Sequence, residues 1–212
     1  MHQHPDVMAG VLVGGRSLRM GCAKALLPHP QARTFVEHVV GVARRIVPDV
    51  VLLGSLSPLP PALRGLPVFP DARPHGGPLA GLCSALSAAS GRWVLLLACD
   101  LGRLGPEVLL RLLRLLPQAT PQTDAVAYAR DGGAAVYEAC CALYHPRILP
   151  AARRELLDGR ASLQALLGAV RVRALVPDGG EARQLSNVNT PEDLARLAND
   201  FPASVKGEAD DR

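Results

Sequence analysis

The stretch from Val11 to Pro28, VLVGGRSLRMGCAKALLP, constrains the fold more than any other part of the chain. Val7, Met8, Ala9, Val11, Leu12 and Val13 form an apolar run that stops at Gly14-Gly15, and Arg16, Arg19 and Lys24 follow before the next apolar segment. A continuous apolar run reads as a strand buried on both faces. Glycines at its end remove the Cβ atoms that would hold a ligand away from the backbone N–H groups. Of the 23 lysines and arginines only Lys24 and Lys206 are lysine, so an arginine-rich chain has kept an ammonium beside this turn.

The glycines would also serve a plain strand-to-loop turn, but the three cations beside them favour an anion and point to a phosphate-binding loop. The common named loops are absent. There is no G-x-x-x-x-G-K-[ST], no G-x-G-x-x-G and no G-x-S-x-G, which removes the main sequence support for a Walker NTPase, a dinucleotide-binding domain and an α/β-hydrolase.

A length of 212 residues suits one domain with a substantial core, expected over residues 1–201, with a disordered tail expected at 202–212 where hydrophobic pattern ceases. No apolar run approaches the roughly eighteen residues of a membrane span, and the N-terminus lacks a signal-peptide core, so the expectation is a cytoplasmic protein without membrane contact. The formal charge of +4 comes from dispersed arginines without basic runs or interleaved aromatics, which argues against nucleic acid as a partner. Cys22, Cys83, Cys99, Cys140 and Cys141 show no C-x-x-C pairing, so a zinc site or disulfide framework is not expected. Four of them read as small core residues, and Cys22 as a residue of the glycine loop. The six histidines have no metal or triad spacing, and no nucleophile is paired with a base.

Helical spacing of Phe35, Val39, Val42, Ala43 and Ile46 predicts a helix over Thr34–Val47 with Thr34 as its N-cap. A short strand over Val50–Leu53 follows, then a proline-rich connection, an extended segment at 67–70 and a loop over Asp71–Pro78. Leu79–Ala89 reads as a helix, and Trp93–Cys99 as the clearest buried strand, ending on Asp100. Further helices are expected at Glu107–Leu116, Pro150–Leu157 and Ser162–Leu167, and strands at Asp124–Ala129, Ala139–Leu143 and Val170–Val176. A last helix is capped by Thr190, with Pro191 first and Asp193 third. Strands alternating with helices predict an α/β fold, a three-layer sandwich with a mostly parallel central sheet, whose ligands bind at the carboxyl ends of the strands. Gly14-Gly15, Asp71 and Asp100 all follow strands.

Two carboxylates beside a phosphate loop suggest Mg²⁺, which takes hard oxygen ligands and shares them with substrate phosphates. Asp100 is the stronger candidate, because it ends an apolar strand; a helix cap or salt bridge is the competing explanation, and for Asp71 ordinary turn chemistry competes more strongly. Transfer at phosphorus needs no covalent nucleophile, since cations and Mg²⁺ can carry it by positioning and charge stabilisation.

The order GVLVGGRSLRMGCAKALL, Asp71 with GGPLAG, LLLACD and NVNTPEDL, spread from Gly10 to about Leu197, resembles the molybdenum cofactor guanylyltransferase family of nucleotidyltransferases. The resemblance implies a Rossmann-like fold and Mg²⁺-dependent transfer of GMP from GTP to molybdopterin cofactor, with release of pyrophosphate. It implies that Leu12, Val13 and Gly14 meet guanine and ribose, that Gly15, Arg19 and Lys24 surround the phosphates, and that Asp71 assists nucleotide binding. Asp100 would hold the metal, Gly77 to Gly81 with Pro78 would border the nucleotide, and Asn187 and Asn189 would face the acceptor. Arg19, Lys24 and Asp100 are thus the expected catalytic set. Molybdoenzymes or other cofactor-biosynthesis proteins are the implied protein partners. The chain departs from the family in Val13, where alanine is usual, in Leu101-Gly102, where a proline follows at the second position, and in Leu53-Gly54-Ser55, which lacks an asparagine. A cytidylyltransferase for the same cofactor, a sugar- or polyol-phosphate nucleotidyltransferase, and a non-catalytic cofactor-delivery protein are the alternatives.

Overall fold

The computed structural model describes residues 4–14, 24–74, 76–130 and 136–201. The expectations for Gly15, Arg19, Cys22 and the tail at 202–212 lie outside these described residues.

Seven strands make one sheet in the order β3-β2-β1-β4-β6-β5-β7. They are β1 (Val7–Leu12), β2 (Asp49–Leu53), β3 (Val68–Phe69), β4 (Trp93–Ala98), β5 (Ala125–Ala129), β6 (Tyr137–Tyr144) and β7 (Val172–Leu175). All run in one direction except β6, which pairs antiparallel with both β4 and β5. The helices are α1 (Phe35–Arg44), α2 (Gly77–Ala88), α3 (Pro106–Leu113), α4 (Leu149–Leu157), α5 (Leu163–Ala169), α6 (Gly179–Gln184) and α7 (Pro191–Asp200).

The period-2 geometry of the strands sends alternate residues into two cores. Val7, Ala9 and Val11 of β1 and Leu95 and Leu97 of β4 pack with α1 and α3 on one face. Met8 and Leu12, with Val94 and Leu96, pack with α2, α4 and α5 on the other. Each face is covered, which is why these strands are apolar without alternation and why the sandwich has three layers. A third cluster of Phe35, Val188 and Leu197 fastens α7 to the start of α1.

Local signals place most element ends. Thr34 Oγ1 accepts from the Glu37 N–H at the start of α1, and Thr190 and Asp193 form a reciprocal capping box on α7. The expected loop over Asp71–Pro78 is shorter than predicted, because α2 begins at Gly77 with Pro78 in its first turn, where the missing N–H costs no helical bond. The sequence reading also passes over α6: its glycine pair has low helical propensity, and the turn forms because Asp178 and Glu181 cap it reciprocally. Among the described residues no helix is long and apolar enough to cross a membrane.

Candidate functional site

The parallel strands β1 and β4 are adjacent, so the segments leaving their carboxyl ends emerge side by side. A cavity of about 330 Å³ lies there, walled by Leu12, Val13 and Gly14 at the end of β1, Lys24 and Ala25, Ala98, Cys99 and Asp100 at the end of β4, Pro78 of α2, Cys140 of β6, and Asn187. Lys24 stands in a 3₁₀ turn, Lys24–Leu26, and its Nζ lies 3.3 Å from Asp100 Oδ2. The same ammonium donates to Asn189 Oδ1. Lys24, Asp100, Asn187 and Asn189 are therefore brought together from three separate segments of chain.

Asp100 is anchored through its backbone. Its carbonyl accepts from the N–H groups of Gly102 and Val188, both at 3.0 Å. Its side chain is mostly buried, and Oδ1 has no hydrogen-bond partner. Burial pushes its carboxyl above the usual carboxylate range, and the Lys24 ammonium opposes that shift. A buried carboxylate oxygen left unpaired is costly unless a cation or donor meets it, so the donor set suits one hard cation completed by water and phosphate oxygens. No cluster of three or more His, Cys, Asp or Glu capable of holding a metal exists among the described residues.

Asp71 sits apart from the walls of that cavity. Gly54, with φ of +102°, approaches Gly14 so closely that a Cβ on it would lie 2.9 Å from Gly14 Cα and N. The Asp71 carboxylate fills the space beside this contact, 3.6 Å from where a Cβ on Gly14 or Gly54 would stand. Burial raises its pKa. Gly77 is not a wall residue of the cavity, whereas Pro78 is.

The expectation that Cys99 and Cys140 are core residues is corrected: both are half-buried and line the cavity beside Asp100. Their thiols are pushed up to about 12, first by burial and then by the Asp100 charge, so they present neutral sulfur. Cys83 and Cys141 are buried as expected. Sequence reasoning missed the wall thiols because an apolar strand end looks the same whether it meets a helix or a cavity. A second cavity, of about 460 Å³, shares Asn187 with the first and is lined by Arg103, Arg183 and Arg196. Arg103 and Arg183 pair with Asp200, and Arg196 lies 3.9 Å from Asp193.

Comparison with known proteins identifies the family and the fold. Residues 9–178 match the model of the MobA-like NTP transferase domain. The chain is 35% identical over 184 residues to a molybdenum cofactor guanylyltransferase from Pseudomonas entomophila, covering 86% of this chain and 93% of that one. It is 32% identical over 183 residues to the protein of the same name from Pseudomonas putida, covering 86% and 92%. Among solved structures it resembles molybdopterin-guanine dinucleotide biosynthesis protein A from Archaeoglobus fulgidus, with a TM-score of 0.73, 23% identity and coverage of 91% and 97%.

Proposed function

This chain belongs to the MobA-like NTP transferase family and is a nucleotidyltransferase, and on that premise we propose that it transfers GMP from GTP to molybdenum cofactor. The observation that carries the reading is the pairing of Lys24 with Asp100 at the mouth of β1 and β4, where Asp100 keeps a buried oxygen without a partner. A phosphate oxygen of the acceptor attacks the α-phosphorus, a new P–O bond forms, the bond to the β-phosphate bridge breaks, and pyrophosphate leaves with the negative charge. Lys24 donates to the phosphate oxygens as that charge grows. Asp100 would hold Mg²⁺ through Oδ1, and the ion, when bound, neutralises the phosphates.

The backbone of Leu12 to Gly14, with the Asp71 carboxylate beside Gly14, is suited to the base and ribose. Guanine offers N1–H and amino donors next to an O6 acceptor, which main-chain groups can read. We assign Asn187 and Asn189 to the acceptor side, a reading supported by Asn187 lining both cavities and by Asn189 accepting from Lys24. The test is incubation of the purified protein with Mg²⁺, molybdenum cofactor and each of GTP, ATP, CTP and UTP, followed by mass identification of the product. A guanine dinucleotide with stoichiometric pyrophosphate is expected. A cytosine dinucleotide formed as efficiently would replace the guanylyl assignment, and no transfer with any nucleotide would defeat it.

A further inference from the structure

Two buried histidines, unused by the chemistry above, join the segment that carries Lys24 to the loop that carries Asp100. His29 Nε2 lies 2.7 Å from the carbonyl oxygen of Gly102, and its Nδ1 accepts from the Gln31 N–H at 3.0 Å. A ring whose Nδ1 accepts carries its proton on Nε2, so Nε2–H donates to Gly102. His38, in the first turns of α1, donates from Nε2 to the carbonyl of Leu104 at 3.1 Å. The two imidazoles stack at 3.9 Å with an interplanar angle of 17°, and the edge contact of His29 with Phe35 is 5.1 Å between centroids.

The bonds fall where they set the site. Leu27 N–H donates to Lys24 O and Leu27 O accepts from Phe35 N–H, both at 3.1 Å, so the Lys24 turn, His29 and the start of α1 form one unit. Across from it, Gly102 N–H donates to Asp100 O, which ties the histidine-held residue directly to the candidate metal-binding aspartate. Gly102 has no room for a side chain: a Cβ there would lie 2.7 Å from Phe35 Cε1 and 2.9 Å from Leu197 Cδ2. An apolar plug would fill the same space but leave two loop carbonyls without donors.

We infer that His29 and His38 are positioning residues, a stacked pair that registers the Lys24 turn against the Asp100 loop and thereby holds the ammonium and carboxylate 3.3 Å apart. For its effect on turnover this rests on the proposed nucleotidyl transfer. Its effect on Lys24 itself does not.

The presence of only two lysines makes a direct test possible. Lysine-selective isotope labelling gives two side-chain resonances, and Lys24→Arg assigns them. His29→Phe keeps the ring contacts and removes both nitrogens. In this variant, with cooperative unfolding retained, the Lys24 resonance is expected to move toward the free-lysine position, and His29→Gln, which can still donate to Gly102, is expected to restore it. With GTP and cofactor, His29→Phe is expected to lower kcat by at least about tenfold with KM for GTP changed less than about threefold, because displaced catalytic groups lose rate more than affinity. Combined with Lys24→Ala, it should add little further loss. An unmoved Lys24 resonance in folded His29→Phe, or a kcat loss fully additive with that of Lys24→Ala, overturns the inference. Should His29→Phe not fold, His38→Phe, which removes only the bond to Leu104, is read by the same resonance and the same criteria. A wild-type protein inactive with every nucleotide defeats the proposed function and leaves the Lys24 resonance to decide the histidine pair.

Discussion

Replacing His38 by Gln should flatten the acid side of the stability curve. His38 is buried, and burial, with the neighbouring His29 next in effect, holds its pKa at about 4 against 6.5 for a free histidine. A base whose pKa is lowered by folding binds more protons in the unfolded chain, so its contribution to stability is present above 6.5 and is lost as the pH falls toward 4. With those two values, RT times the logarithm of the ratio of protonation factors gives a loss of about 0.2 kcal/mol at pH 7, about 2 kcal/mol at pH 5 and about 3 kcal/mol at pH 4. For a chain of this size 2 kcal/mol is about 4–8 °C in Tm. Other groups titrate too: Asp100 and Asp71, raised by burial, act in the opposite sense, and Asp193 and Asp200, lowered by hydrogen bonds, act in the same sense. They are common to both proteins and cancel in a difference; His29, lowered by burial, titrates in the same sense in both, and its repulsion of His38 is already contained in the His38 value of about 4. Gln retains an amide donor for Leu104 O and does not titrate. Urea unfolding of wild type and His38→Gln at pH 7 and pH 5 should therefore show the wild type losing about 2 kcal/mol more than the variant over that interval. Equal losses would mean that His38 is not held neutral by its surroundings, and the account of a buried, donating imidazole would be wrong.

Asp100→Asn should leave thermal unfolding within a few degrees of wild type, since burial already disfavours the charge, while turnover falls about a thousandfold at saturating Mg²⁺. Steady-state rates with a Mg²⁺ titration decide it, and near-normal turnover would remove Asp100 from the metal site. Lys24→Ala should lower kcat roughly a hundredfold to a thousandfold and raise KM for GTP by much less; full rescue at high GTP would make Lys24 a ground-state anchor. Gly102→Ala forces a Cβ to within 2.7 Å of Phe35 and should destabilise the fold by about 1–3 kcal/mol in urea titrations, with an unchanged midpoint counting against the tight packing of that loop.

The amino-acid sequence by itself determined what short-range physics can encode. The unbroken apolar runs at Val7–Val13 and Trp93–Cys99 require strands covered on both faces, and hence the layered α/β architecture. Thr34, and Thr190 with Asp193, mark helix starts because a cap acts within one turn. Gly14 and Asp100 at strand ends marked the edge where a ligand could sit. The meeting of Lys24 with Asp100, 76 residues away, and with Asn189, 165 residues away, is decided by strand order, which places β1 beside β4 and brings the segment before α7 across both. Tertiary structure also turned Cys99 and Cys140 from presumed core into cavity wall and set Asp71 into the gap left by Gly14 and Gly54. His29 and His38 carry no spacing signal, because their partners are the backbone carbonyls of Gly102 and Leu104, and every residue has a carbonyl. Which carbonyls need a buried donor is settled only when the Asp100 loop packs against α1.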